Sequence, residues 1–355
     1  MTAMQKRRRL LLLTEGYSGS LSAKTANSIL RYCTEEVAAV LDTEKAGGTC
    51  SDVFGIGGDI PIVGSVGEAP DANTLLVGIA PSGGRLPEVM RNQVLDAIAA
   101  GMNVESGLHH FLGDDAVIRQ AAAEKGVTLR DVRRNSERDV ASRMGIREDC
   151  LRIHTVGNDC SLGKMVTSIE LARSLKAGGI MTKFVATGQT GIMIEGDGCP
   201  IDCVVADFVN GAAEKLVLGN QENDILVIEG QGSLAHPRFS AVTLGLLHGV
   251  MPHGLIYCYE AGRETVKEME YLRIPEMGRI MDLYMAAANI MHPCRFIGIN
   301  INSRLLDEEG YRVEKARMED RYQLPVTDVL REGVGPLSDA VLSLREEVIP
   351  GLASS

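Results

Sequence analysis

One stretch constrains this chain more than any other: Thr155-Val156-Gly157-Asn158-Asp159-Cys160-Ser161-Leu162-Gly163-Lys164-Met165-Val166-Thr167. An apolar run, Leu151 to Val156, leads into it, and a helical pattern leads out. A strand, a glycine-bounded loop and Gly-Lys opening a helix make the layout of a phosphate-binding P-loop. Gly157 and Gly163 permit turns that a side chain would block, so that backbone N–H groups converge on phosphate oxygens. The helix opening near Gly163 aims its positive end at the anion, and Lys164 adds a full charge there.

Two departures shape the expectation. The loop carries one residue more between its glycines than the commonest spacing. The position after the lysine, where a hydroxyl normally ligates Mg²⁺, is Met165, and a thioether is a poor ligand for a hard cation. The stretch therefore predicts a pyrophosphate cradle with weakened capacity for Mg-nucleotide hydrolysis.

With 355 residues the chain is too long for one ordinary core. The pattern predicts an α/β protein: a Rossmann-like domain over 1–148, then a P-loop NTPase-like parallel-sheet domain over 149–355, with the charged run Ser136 to Asp149 as linker. A net charge of −11 argues against a general nucleic-acid role. Aromatic residues at 4%, with no Trp, leave few stacking platforms. The scattered cysteines include one close pair, Cys199 and Cys203, with no second pair to complete a zinc site, and no metal is expected. Lys6 to Arg9 followed by Leu10 to Leu13 is too short for a secretory signal and fits a first buried strand, so the chain reads as cytoplasmic with no membrane span.

Leu10 to Leu13, then Val37 to Asp42 around a helix, make a βαβ opening with an acid after the second strand. No G-x-G-x-x-G follows the first strand, so the dinucleotide signal is weak. Thr74 to Ala80 is a buried strand running into Ser82-Gly83-Gly84-Arg85, whose amides and arginine either hold a carboxylate or form a plain loop. Val127 to Val132 leads to Arg133-Arg134, a pair that either binds an acidic substrate or merely faces water. In the second half, Asp224 to Ile228 ends in Glu229-Gly230-Gln231-Gly232-Ser233, which occupies the Walker B position. Glu229 is the best single acid for chemistry, or else a capping acid. His236, Arg238, His248 and His253 follow closely, on one side of the sheet if the intervening helix is short. Gly188-Gln189-Thr190-Gly191 reads as a loop at a strand end. Asn300 and Asn302 close the last clear strand, where P-loop proteins often address adenine.

The P-loop with methionine after its lysine resembles that of a widespread bacterial family long described only as a domain of unknown function, which includes the DgcN-type D-glutamate N-acetyltransferases. Glu229 to Ser233 and Asp131-Val132-Arg133-Arg134 are similar to that family's motifs, and the likeness covers nearly the whole chain. The loop also resembles that of dethiobiotin synthetase. The family resemblance implies acetyl transfer from acetyl-CoA to the amine of D-glutamate. Gly157, Asn158, Asp159, Cys160, Ser161, Leu162, Gly163, Lys164 and Met165 would grip the phosphates of CoA, with Asn300 and Asn302 nearby. Glu229, then His236, are the candidate bases, and the amides of Gly230 to Ser233 would face the oxyanion. Ser82, Gly83, Arg85, Arg133, Arg134 and Gln231 are the candidates for the acidic amino acid. A homodimer or higher homo-oligomer is the default for such an enzyme. The competing readings are an ATP-dependent ligase or kinase of the dethiobiotin synthetase type and a non-catalytic nucleotide sensor.

Overall fold

A computed structural model describes residues 8–19, 23–81 and 84–349. The chain forms two compact units, residues 1–135 with 192–203, and residues 136–191 with 204–355. The break at 135/136 precedes the expected 148/149, and a short later segment joins the first unit.

The first unit is a parallel sheet of β1 (Leu10–Leu13), β2 (Val37–Leu41), β3 (Ile62–Val63), β4 (Thr74–Val77), β5 (Asn103–Ser106) and β6 (Leu129–Asp131) in the order β3-β2-β1-β4-β5-β6. That is the Rossmann strand order. Its helices are α1 (Lys24–Tyr32), α2 (Cys50–Phe54), α3 (Glu88–Ala99) and α4 (Ala116–Lys125). All four residues of β1 are fully buried, as the Leu run anticipated. The acid after β2, Asp42, is buried; its Oδ1 accepts from the Glu44 N–H at 3.1 Å, and its Oδ2 has no hydrogen-bond partner among the described residues.

The second unit holds β7 (Leu151–Gly157), α5 (Lys164–Ala177), β8 (Thr182–Val185), the start of α6 (Gln189–Glu195), α7 (Val209–Leu218), β9 (Ile225–Ile228), α8 (Ser240–Val250) and β10 (Gly254–Glu260). A hairpin of β11 (Thr265–Val266) and β12 (Met269–Arg273) follows, then α9 (Met277–Asn289), β13 (Arg295–Asn302), α10 (Glu308–Tyr322), β14 (Val326–Thr327) and α11 (Gly335–Val348). The main sheet runs β14-β13-β10-β7-β9-β8, all parallel. The chain leaves β7 for the β8 edge and returns to the other side through β10, so β7 stands at the topological switch point where such sheets take ligands.

Three local readings need correction. The glycines at 188 and 191 mark close packing rather than a loop, because a Cβ at Gly191 would meet the Glu229 carboxylate at 2.5 Å; α6 already begins at Gln189. The charged run expected as a linker packs on α7: buried Glu214 accepts the N–H groups of Ser142 and Arg143 at 2.8 and 2.7 Å. The β11–β12 hairpin was not anticipated, since its connection, Lys267-Glu268, lacks the glycine or asparagine that signals a tight turn.

Behind the switch point, Tyr284 of α9 is fully buried. Its hydroxyl donates to the Gly157 carbonyl at 3.0 Å and accepts from the Leu234 N–H at 3.2 Å, tying the loop after β7 to the loop after β9. Tyr284→Phe would orphan both backbone groups. It should lower the unfolding free energy in denaturant titrations by about 1–3 kcal/mol; a variant as stable as the parent would show that water replaces the tie.

Candidate functional site

The loop after β7 is set by what cannot fit. Gly157 pairs with Cys258 of β10, and a Cβ there would lie 2.3 Å from the Cys258 carbonyl oxygen. Ser161 and Gly163 both take left-handed backbone, at φ 58° and 105°. Gly163 is the N-cap of α5, with no side-chain cap and no acid in the helix's first turn. The orphan N–H groups that begin every helix are therefore left for an anion. Lys164 is buried, and its Nζ donates to the Asp159 carbonyl at 2.6 Å. Burial lowers its pKa, so an anion on the adjacent amides favours the charged lysine.

Asp159 braces the loop from inside. Its carboxylate accepts from the Cys160 N–H at 2.7 Å, from Arg263 at 3.0 Å and from the Lys267 N–H at 2.8 Å. His236 places Nε2 3.4 Å from the same carboxylate, while its Nδ1 accepts from the Arg238 N–H at 3.1 Å. That acceptance puts the neutral ring's proton on Nε2, facing Asp159. In this arrangement His236 positions the loop rather than offering a lone pair.

Glu229, at the end of β9, is buried. One carboxylate oxygen accepts the N–H groups of Thr187 and Gly188 at 2.9 and 3.1 Å. Gln231 donates to Thr187 Oγ1 at 3.1 Å, and that hydroxyl donates to the Glu229 carbonyl at 2.9 Å. Gly230 holds this assembly against the P-loop, because a Cβ there would fall 1.7 Å from the Thr155 carbonyl oxygen and 2.9 Å from Lys164 Cδ. Its amide is spent on Thr155 Oγ1 at 3.0 Å, so the amides open to an oxyanion narrow to Gln231, Gly232 and Ser233. Asn300 is buried beside the loop with its Oδ1 taken by the Val329 N–H at 3.1 Å, and Asn302 Oδ1 accepts from the Arg304 N–H at 3.4 Å.

The other histidines do not join this group. His253 precedes β10 at the opposite end of the strands, where its Nδ1 accepts from the Arg152 N–H at 3.0 Å. His248 lies on α8, its Nε2 3.1 Å from the Ala287 carbonyl. Arg263 and Lys267 went unrecognised as loop-bracing residues; they sit on the hairpin segment that carried no turn signal.

In the first unit, Ser82 and Gly83 lie outside the described residues. Arg85 is exposed and lines a cavity of about 600 Å³ with Arg91, His109, His110 and Phe111. Arg133 is buried and committed to the Gly107 carbonyl and Asp202. Arg134 pairs with Asp114 at 2.6 Å and lies 4.4 Å over the Phe111 ring. Of the three arginines, only Arg85 has no ion-pair partner among the described residues.

Beneath Lys164, His154 of β7 is fully buried, and its Nδ1–H donates to the Ile228 carbonyl at 3.2 Å. Burial, reinforced by Lys164, holds its pKa down to about 4. His253 is lowered to about 3 by burial, then by Arg152 and His292. Both rings fold neutral, so below the ordinary value of 6.5 the unfolded chain binds more protons than the folded one. Stability present above that pH is lost as pH falls toward 4. His154→Gln should flatten this acid slope by about 1.4 kcal/mol per pH unit; an unchanged slope in denaturant melts would contradict a neutral buried ring.

Residues 136–338 match a family model described as "Domain of unknown function (DUF1611_C) P-loop domain", and residues 43–135 match "Domain of unknown function (DUF1611_N) Rossmann-like domain". A D-glutamate N-acetyltransferase from Tritonibacter scottomollicae is 37% identical over 78% of this chain and 83% of its own length. Another from Pseudoalteromonas sp is 38% identical over 74% and 79%. The crystal structure of a DUF1611 family protein from Anabaena variabilis is similar with a TM-score of 0.89 and 36% identity, covering 95% of this chain and 99% of that one. A Rossmann-ordered sheet, a P-loop sheet and a shared break at 135/136 agree with these matches, and the chain belongs to the DUF1611 family.

Proposed function

We propose that this protein transfers the acetyl group of acetyl-CoA to the amine of D-glutamate. The observation that carries the reading is the likeness, at 37% and 38% identity, to two D-glutamate N-acetyltransferases. The P-loop supports it. Its uncapped helix start and Lys164 suit the diphosphate of CoA. Met165 offers nothing to Mg²⁺, and a thioester donor needs no metal on its phosphates.

The acceptor's ammonium group must lose a proton before it can attack. Glu229 takes it; the second candidate, His236, has both ring nitrogens facing partners. The neutral amine adds to the thioester carbonyl, the C–N bond forms and the C–S bond breaks; the surplus proton on nitrogen passes to the departing CoA thiolate, and the proton held by Glu229 is released to solvent. Amides from Gln231 to Ser233 stabilise the oxyanion. Glu229 stands close to the P-loop, so the pantetheine arm folds back toward the end of β9 instead of extending away. The acceptor's two carboxylates call for cationic partners. The eight free cysteines suit a reducing cytoplasm.

Glu229→Gln keeps an acceptor for the Thr187 and Gly188 amides while removing the base. Initial rates of N-acetyl-D-glutamate formation should show kcat lower by about 100-fold or more, with the acetyl-CoA KM within about twofold. Equal turnover would remove Glu229 from the mechanism. A wild-type protein inactive with acetyl-CoA but stabilised by Mg-ATP would favour the ligase reading instead.

A further inference from the structure

The P-loop follows β7, and β7 has β9 on one side and β10 on the other. Glu229 closes β9. At the matching end of β10 lies a cavity of about 370 Å³ with no part in the chemistry above. It begins at the P-loop itself, with Asn158, and runs past Arg263 to Arg273 and Arg317. Ile274, Met277 and Met318 give it an apolar wall.

Two observations indicate that this cavity expects a ligand. Asn158 is buried to nine-tenths, and its Oδ1 has no hydrogen-bond partner. A buried acceptor left unmade costs on the order of 1–3 kcal/mol, which a ligand N–H or O–H can recover. The charged lining is also only partly neutralised. Arg263 pairs with Glu260, and Arg317 pairs with Glu314 at 2.7 Å. Arg273 and Glu264 have no ion-pair partner among the described residues.

We propose that this cavity binds the adenosine 3′-phosphate end of the acyl donor, with Arg273 on the 3′-phosphate. The assignment rests on the acetyl-CoA reading above. With the diphosphate on the P-loop and the acyl end beside Glu229 on the β9 side, the other end of the donor falls on the β10 side. The lining matches that end. Asn158 Oδ1 and Glu264 accept from an exocyclic amine and ribose hydroxyls, the methionines and Ile274 cover a flat base, and Arg273 meets the extra dianion. A pantetheine arm carries amide donors but no anion, and it would leave Arg273 unused.

The test is a binding comparison of CoA and 3′-dephospho-CoA by calorimetry, on the whole protein and on Arg273→Ala and Arg273→Lys. The wild-type protein should bind CoA about tenfold more tightly than the dephospho form. Arg273→Ala should erase that preference, and Arg273→Lys should keep part of it. A wild type that binds both alike, or an Arg273→Ala that still discriminates, overturns the assignment. Because the readout is binding, the two readings fail separately. Intact discrimination in a protein that moves no acetyl group would sink the proposed activity and leave the cavity's ligand standing.

Discussion

Everything at the P-loop depends on two places where backbone meets backbone more closely than a side chain allows. A methyl group on Gly157 would press to 2.3 Å from the Cys258 carbonyl, and one on Gly230 to 1.7 Å from the Thr155 carbonyl. Through these contacts the carboxyl ends of β7, β9 and β10 converge. Loops that would otherwise splay apart bring an uncapped helix start, a buried lysine and a buried glutamate into one place. Atoms in a packed interior have nowhere to retreat, so either position filled by alanine would shift a strand rather than a side chain.

The convergence also explains how much buried charge the site tolerates. Asp159 has no exposed surface, yet it accepts from Arg263, from two backbone N–H groups, and faces His236. Glu229 accepts from two amides at the end of β8. Each carboxylate is repaid by donors held in place by the fold, which is the condition for burying a charge without losing the structure. Lys164 is the exception. Its ammonium group is buried against a single carbonyl, and it gains most from an incoming phosphate.

Much of this was legible in the sequence because the signals were local. The Leu10 to Leu13 run, the Leu151 to Val156 strand and the Gly-Lys helix start are read from neighbours along the chain, and Glu229 follows from an apolar strand ending in an acid. What escaped was set by contacts remote in sequence. Gly188 and Gly191 looked like turn residues because nothing nearby shows that Glu229 and Gln231 pack on them. Glu214 captures Ser142 and Arg143 from some seventy residues away, so the charged run around them resembled a linker. The hairpin bracing Asp159 has a mostly exposed second strand and no turn residue to announce it. The arginine pair at 133 and 134 shows the same limit: its partners Asp202 and Asp114 are decided by the fold.

The central claim is that the amides and lysine at the start of α5 hold the diphosphate of a CoA thioester. The most direct measurement is the dissociation constant of acetyl-CoA for Lys164→Ala beside the wild type, without added Mg²⁺. Loss of a buried charge-assisted contact should weaken binding by roughly 30-fold or more while the protein stays folded. A folded Lys164→Ala that binds acetyl-CoA as tightly as the parent would mean that the diphosphate lies elsewhere.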